Sequence, residues 1–363
     1  MGYSNVVYNR FMKKADAVII GGGAVGCVTG KELARRGLQA VILEEHAVPG
    51  KGGKCTGLVS TRGLEMLGID YGKAVVGKIS GARIRSPNSS FEVRRKNAAV
   101  VLDRQAFDEE CAAEAVDAGA VLKTGTRASG FSAGGVLVGK NRFSSRFIVG
   151  ADGVQSFTAR SLGFPPINDF VLCCEKEFAR AKISDPGLVE VFLDNKKFPG
   201  FFAWIVPAGD GARIGFGTTD FNAARMIEKQ FFGTKEVKGA VGDSGAGKNY
   251  WAVIPLHSRR QTQKGDVMLV GDAAGQVKAT TGGGIVFGGL CAEILAETVG
   301  KGAPFDYETA WRRKFGGTLA LHSVARMLLD TMPNPVLDLF VGAGRFGPAK
   351  LLERLGDMDF ILR

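Results

Sequence analysis

The 363-residue chain has little histidine, three residues in all, and only 12 prolines and six cysteines. The cysteines (Cys27, Cys55, Cys111, Cys173, Cys174 and Cys291) form no C-x-x-C, so neither a zinc site nor a thioredoxin-like motif is expected. Such scattered cysteines fit the reducing cytosol, and a cytoplasmic location is expected. His46, His257 and His322 have no triad-like setting, and His257 reads as structural. No run of 18 or more uncharged apolar residues occurs, so no transmembrane helix is expected. Lys13-Lys14 and the apolar stretch to Gly30 imitate a signal peptide, but Asp16 interrupts it. Met1-Gly2 does not begin a myristoylation motif, because position 6 is Val6. There is no internal repeat and no collagen-like period.

Glycine is abundant. The chain has 52 glycines, about 14% where roughly 7% is usual. Hydrophobic residues make up 45% and charged residues 23%, which is ordinary for a globular chain able to bury a sizeable core. The excess glycine therefore calls for backbone turns, and turns around a ligand are the first candidate. The net charge is +11, which favours anionic partners such as lipid headgroups or phosphorylated small molecules. Its basic clusters (Arg94-Arg95-Lys96, Arg259-Arg260, Arg312-Arg313-Lys314) are too short for a nucleic-acid tail, and no nucleic-acid partner is expected.

Short apolar runs and helical spacing alternate along the first third. Ala15–Ile20 predicts a buried strand, 25–36 a helix closed by Gly37, and 39–43 a second strand. This is the strand–helix–strand unit of a doubly wound parallel sheet. Period-2 stretches follow at 82–85 and 91–94, then a helix over 104–118 and strands at 120–123 and 147–150. The region 170–217 reads as a separate antiparallel sheet, with strands at 172–178, 189–193, 201–206 and 213–216. A helix over 221–232, strands at 251–254 and 267–271, and helices over 284–299 and 306–332 complete the pattern. The last thirty residues are helix-prone and broken by Pro333, Pro335 and Pro348.

Gly21-Gly22-Gly23-Ala24-Val25-Gly26 is a G-x-G-x-x-G placed between strand and helix. Gly21 permits the tight turn, Gly23 lets a diphosphate approach the backbone, and Gly26 lets helix and strand pack closely. Glu44 ends the second strand, 23 residues after Gly21, placed to accept from a ribose hydroxyl. Together these predict a dinucleotide site. Two other segments imitate nucleotide motifs. Gly342–Gly347 fits the same spacing but has too little chain after it for a helix and strand. Gly242…Gly247-Lys248 resembles a P-loop, but Asn249 stands where a Ser or Thr should bind Mg²⁺, and 235–241 is a poor strand.

Two further segments discriminate between dinucleotides. Phe147–Gly150 leads into Ala151-Asp152-Gly153, and Val267–Gly271 into Asp272 and then Thr280–Ile285. Asp272 is placed to accept from a ribityl hydroxyl. The glycine run with the following helix N-terminus can meet a second phosphate or a flavin ring edge.

These three segments, in this order, resemble the flavoprotein superfamily that includes aromatic hydroxylases. Leu102-Asp103-Arg104 resembles that superfamily's helix start, whose Arg touches FAD. The Lys54-Cys55-Thr56-Gly57 loop and Phe202-Ala203-Trp204-Ile205-Val206-Pro207 narrow the resemblance to the geranylgeranyl reductase family, which includes archaeal digeranylgeranylglycerophospholipid reductases. It spans roughly residues 15 to 300. It implies FAD lined by Val25, Glu44, Cys55, Arg104, Ala128, Asp272, Gly284 and Ile285, with Gly21, Gly23, Gly26, Asp152 and Gly271 in the binding segments. Phe202, Trp204 and Pro207 become candidate substrate contacts, and Cys55 a candidate to position substrate or assist protonation. Two departures stand out: Val206 occupies the family's Phe position, and the chain is short after residue 300.

The expected fold is α/β: a Rossmann-like FAD-binding domain (1–75, 98–165 and 262–300), an antiparallel substrate domain (76–97 and 166–261) and a C-terminal helical segment (301–363). The resemblance implies reduction of isoprenoid C=C bonds by hydride from reduced FAD. An external reductant, NAD(P)H or a ferredoxin-type donor, and contact with the cytoplasmic membrane face accompany it. Such a reaction needs a long apolar channel, for which Phe198, Phe201, Phe202, Trp204, Ile205 and Trp251 are candidates. A flavin monooxygenase of a hydrophobic substrate and a membrane-surface electron carrier are the alternatives.

Overall fold

The computed structural model describes residues 15–53, 55–242, 247–344 and Asp359. Lys13, Lys14, Lys54 and the central residues of the P-loop-like segment lie outside them, as do residues 345–347 of the second glycine motif.

The first sheet is parallel at its centre. Strand Ala15–Ile20 lies between Ala40–Leu43 and Asn141–Gly150, with Val121–Lys123 and Val267–Leu269 outside them. The register aligns Ile20 with Leu43 and Gly150, and Gly150 with Leu269. The carboxyl ends of the strands thus lie side by side, where open α/β sheets bind ligands. Helix Ala24–Arg35 packs on one face with Ile285–Gly300 and Arg104–Asp117. Its buried Cys27, Val28 and Leu33 meet Ile42, Phe107 and Leu295 in the largest core. Burying one such aliphatic side chain contributes about 1.5–3 kcal/mol. The opposite face is covered by the hairpin Gly130–Ser132 and Gly135–Val138, which the sequence reading missed.

The second sheet has eight strands, ordered Lys248–Pro255, Phe170–Phe178, Gly211–Thr218, Ala203–Ala208, Leu188–Phe192, Val75–Arg85, Ser90–Leu102 and Leu58–Ser60. All its pairs are antiparallel except Leu188–Phe192 with Val75–Arg85. The strands expected at 82–85 and 91–94 are the tips of a much longer hairpin. That hairpin carries 98–102 into this sheet, and Leu58–Ser60 also pairs here; the sequence-based division put both segments with the nucleotide half.

Side chains alternate across this sheet. Cys174, Ile205, Ile214 and Phe216 point to one face, against helices Ala224–Phe232 and Lys235–Val241. Cys173, Trp204, Val206 and Ile79 point to the other, toward the nucleotide-binding half. Residues 235–241, read from sequence as a poor strand, are helical because Thr234 caps them by accepting from the Val237 N–H.

The C-terminal helical run continues from Tyr307 to Thr331 with one widened turn at Arg312–Gly316, followed by Asn334–Ala343. Tyr307 donates to the Leu269 carbonyl at 2.8 Å, and the Trp311 indole to Thr262 Oγ1 at 2.9 Å. These buried bonds fasten the run to the first sheet. Among the described residues no helix is long and apolar enough to cross a membrane.

Candidate cofactor and substrate cavity

Between the strand ends of the first sheet and the inner face of the second lies one cavity of about 1040 Å³. Gly23, Val25, Cys55, Arg104, Gly271, Asp272, Gly284 and Ile285 all line it. The sequence reading singled out each of them, from segments far apart in the chain.

The local geometry explains the glycines. Gly21 adopts φ +103°, a conformation that other residues rarely adopt. A Cβ on Gly26 would sit 1.9 Å from the Gly21 carbonyl oxygen, so helix and turn meet only without one. A Cβ on Gly23, by contrast, would meet nothing within 4 Å. Gly23 caps helix Ala24–Arg35 with no side-chain hydrogen bond, and Gly284 does the same for Ile285–Gly300. Two helix N-termini therefore reach the cavity walls without side-chain caps, where an anion is favoured.

Arg104 Nη2 donates to both Asp108 carboxylate oxygens, at 3.0 and 3.2 Å, while its buried Nε has no partner among the described residues. Burial works against its charge, but Asp108 and Cys55 favour the cation and the net effect is a raised pKa. Asp272 has a raised pKa because it is desolvated, and Arg104 opposes the shift. The open cradle at Gly23, the uncapped helix starts and the orphaned Arg104 Nε fit a dinucleotide with an anionic linker and a polar ring edge.

Other expected residues lie outside the cavity lining. The Glu44 carboxylate accepts from the Gly22 N–H at 2.8 Å and from the His46 N–H and Nδ1 at 2.8 and 2.7 Å. Ala128 packs half-buried beside Val18 and Ile20. Asp152 is occupied locally, accepting from Ser156 Oγ and from the Thr158 N–H and Oγ1, so it fixes the turn that brings Ala151 and Gly153 to the wall.

On the substrate side, Phe201, Phe202, Trp204 and Val206 line the cavity. Phe201 and Phe202 stack at 4.2 Å, and Trp204 meets Phe202 edge-on at 5.8 Å. Pro207 does not line it. With Ala203 and Ile205 it falls on the alternate positions of the strand, which face away, and the substrate-contact expectation for Pro207 is corrected accordingly. The same parity places Ile205 in the core under the two helices, together with Phe198 and Trp251, so these three are not channel residues.

Four lining residues escaped the sequence reading. Glu175 is buried on a central strand and accepts at Oε2 from Thr56 Oγ1 and from the Trp204 indole N–H (3.0 Å). Its signal was an acid on the buried parity of that strand. Lys278 is buried and paired with Asp359. His322 links Thr280 Oγ1 (2.6 Å) to the Asp359 carbonyl (2.9 Å), and burial lowers its pKa. Arg326 lies over the Phe201 ring at 5.2 Å and pairs with Asp330, while its Nε and Nη1 have no partner among the described residues.

Comparison with known proteins agrees with this geometry. The FAD binding domain family matches residues 14–84 and 117–288. An uncharacterised protein of Methanocaldococcus jannaschii is 31% identical over 95% of this chain and 89% of its own length. The digeranylgeranylglycerophospholipid reductases of Methanopyrus kandleri (protein 2) and Methanosarcina acetivorans are each 28% identical, over 90% and 89% of this chain and 90% and 86% of theirs. Among solved structures, a geranylgeranyl bacteriochlorophyll reductase-like protein from Thermoplasma acidophilum superposes with a TM-score of 0.82 at 20% identity, covering 94% of this chain and 99% of the other. The flavin-dependent brominase Bmp2 follows the same fold with a TM-score of 0.77 at 16% identity, over 96% and 94%. The chain belongs to the FAD binding domain family, as a geranylgeranyl reductase-like, FAD-dependent oxidoreductase.

Proposed function

We propose that this protein saturates C=C bonds of geranylgeranyl chains carried by membrane phospholipid precursors. One observation carries the reading. The cavity that begins at the nucleotide-binding turns continues, without a dividing wall, along the apolar face of the second sheet. The names of the archaeal relatives support the same substrate class.

An isolated prenyl double bond has no adjacent carbonyl to polarise it. It therefore needs a strong hydride donor, a proton and a dry site. Reduced FAD supplies the hydride. The chain's part is to hold and to exclude. Gly21, Gly23 and Gly26 set the turn for the diphosphate, Glu44 and Ala128 flank the adenosine side, and Asp152 braces the second turn. Gly271, Asp272, Gly284, Ile285, Val25 and Arg104 hold the flavin side. Phe202 and Trp204 lie along the path of the prenyl chain, with Cys55 on the facing loop positioning it.

Arg95 and Lys96 also line the cavity, at an end where Lys96 and Asn97 are exposed, and suit an anionic headgroup. Helix Gly317–Thr331 contributes Arg326 and Leu329 to the wall and exposes Val324, Met327 and Leu328; Leu339 and Phe340 are exposed on the next helix. An apolar surface continuous with the cavity, on a chain of net charge +11, supports docking on an anionic membrane face.

The test is anaerobic. FAD-loaded protein, reduced with dithionite, is mixed with digeranylgeranylglycerophospholipid vesicles, and the lipid is analysed by mass spectrometry. Gain of two hydrogens per reduced bond is expected. A yellow protein that leaves the lipid unsaturated with every reductant overturns the reading; in a separate aerobic assay with NAD(P)H, substrate-stimulated oxygen uptake points to a monooxygenase.

A further inference from the structure

We propose that Glu175 is the general acid of the reaction, delivering the proton to the alkene from its Oε1. This rests on the prenyl-reductase reading above. It assigns the proton that the reading requires and leaves unassigned.

The geometry is asymmetric. Both hydrogen bonds to the carboxyl, from Thr56 Oγ1 and from the Trp204 indole, fall on Oε2. Oε1 has no hydrogen-bond partner among the described residues, and Glu175 lines the cavity. A carboxyl held this way keeps its acceptor oxygen occupied and leaves the other oxygen to carry the proton toward the substrate.

The surroundings favour the neutral acid. Glu175 is buried, and desolvation raises its pKa, opposed by Thr56, Trp204 and Arg213. Arg213, on the adjacent strand, is the cation facing it, but its bonds go to Glu177 (3.2 Å) and to the carbonyls of Thr56 and Leu102 (2.7 Å each). Glu177 on the same strand adds a like charge, which also favours protonation. The other titratable neighbours are Cys173 on the same strand, Tyr250 opposite Glu175 on the next, and Cys55 on the loop. None of these three is a cation that would hold Glu175 ionised.

The chemistry balances. A trisubstituted prenyl double bond takes the Glu175 proton at its less substituted carbon, so positive charge develops at the methyl-bearing carbon. The faces of Trp204 and Phe202 stabilise that charge, and hydride from reduced FAD completes the second C–H bond. The products are one saturated bond, oxidised FAD and a Glu175 carboxylate. Water reprotonates the carboxylate, and an external two-electron reductant, dithionite in the assay, restores the flavin.

E175Q keeps the size and both incoming hydrogen bonds but cannot give up a proton. Flavin affinity and reduction by dithionite are expected to stay as in the wild type. Reoxidation of the reduced flavin by geranylgeranyl lipid should fall by about 10²-fold or more. E175D should retain part of the rate, and it stands in if E175Q does not fold.

A second readout needs no turnover. Infrared difference spectra of the wild type should show a protonated-carboxyl band, absent in E175Q, that persists at about pH 6, where an ordinary glutamate is ionised. Wild-type-like reoxidation by E175Q, or loss of that band at the pH of ordinary glutamates, overturns the proposal. If the wild type itself reduces no prenyl lipid while the band is present, the functional reading fails and the Glu175 protonation result stands.

Discussion

The Trp204 indole N–H donates to Glu175 Oε2 at 3.0 Å, joining an aromatic wall residue to the buried carboxyl of a strand two positions across the sheet. The bond favours the charged carboxyl and so works against desolvation, which raises the Glu175 pKa. Removing the donor in W204F should raise that pKa further. A carboxyl whose folded pKa lies above its unfolded value contributes stability below the unfolded pKa, near about 4.3, and loses it as pH rises through the folded one, at about 1.4 kcal/mol per unit of difference. Urea unfolding as a function of pH should therefore show a stability decline above pH ~4.3 in the wild type. That decline should end at higher pH in W204F and be smaller in E175Q, where the buried Asp272 still contributes. Superimposable pH profiles for wild type and E175Q would contradict this.

The glycine-rich turn separates folding from binding. A Cβ at position 26 would sit 1.9 Å from the Gly21 carbonyl oxygen, a backbone atom with no rotamer by which to move aside. G26A should lose several kcal/mol, on the order of 3 or more, and accumulate little folded protein. At position 23 a Cβ meets open space, and the backbone (φ −72°, ψ 177°) suits alanine. G23A should fold within about 1 kcal/mol of wild type. Its FAD affinity should still drop at least about tenfold, or 1.4 kcal/mol, because the methyl occupies space the diphosphate needs. Thermal melts of the flavin-free forms and fluorescence titration with FAD separate the two effects. Unchanged FAD affinity in G23A would show that the diphosphate lies elsewhere.

What was legible in the sequence was local. Gly21–Gly26, the strand before it and Glu44 after it lie within thirty residues, so turn chemistry and periodicity suffice to place them. The cavity face of the second sheet was half legible: alternation singles out Trp204 and Phe202, but without strand ends it could not assign parity to Pro207 and Ile205. The long hairpin was cut short because Arg94, Arg95 and Lys96 interrupt the apolar pattern, although backbone pairing continues through Ala99–Leu102. His322 and Lys278 were illegible, since their shared partner Asp359 is 37 and 81 residues away. No periodicity encodes such a contact. Helix Thr61–Leu67 carried signals that the apolar pattern obscured: Ser60 accepts from the Gly63 N–H at 2.9 Å, and Gly68 closes it with φ +56°.

The Lys278–Asp359 pair is almost fully buried, at 4% and 1% side-chain exposure. Removing one member leaves an uncompensated charge, so D359A should destabilise by about 3–5 kcal/mol. The double variant K278M/D359L should recover most of that loss, because apolar groups of similar size replace the buried pair without stranding a charge. Denaturant midpoints at constant slope measure both. Equal loss in the single and double variants would mean that the Asp359 carboxylate acts through Ser60, which also donates to it.

Five of the six cysteines, Cys27, Cys111, Cys173, Cys174 and Cys291, are buried, and desolvation pushes their thiols up, that of Cys174 to about 12. A thiol reacts as its thiolate, so these five should be inert in the folded protein. Cys55 alone is exposed, and it lines the cavity. Native thiol titration at pH 8 should therefore show one fast-reacting group, at a rate at least about 10²-fold above the rest, because burial shields the other five and disfavours their thiolates. The group should disappear in C55S, and all six should react in denaturant. Bound FAD should slow the reaction, because Cys55 shares its wall with Arg104 and Gly23. Iodoacetamide labelling with peptide mass mapping identifies the site directly. Labelling of Cys173 at a comparable rate would show that the cavity admits solvent down to the floor occupied by Glu175, and the dry pocket argued for that carboxyl would then be wrong.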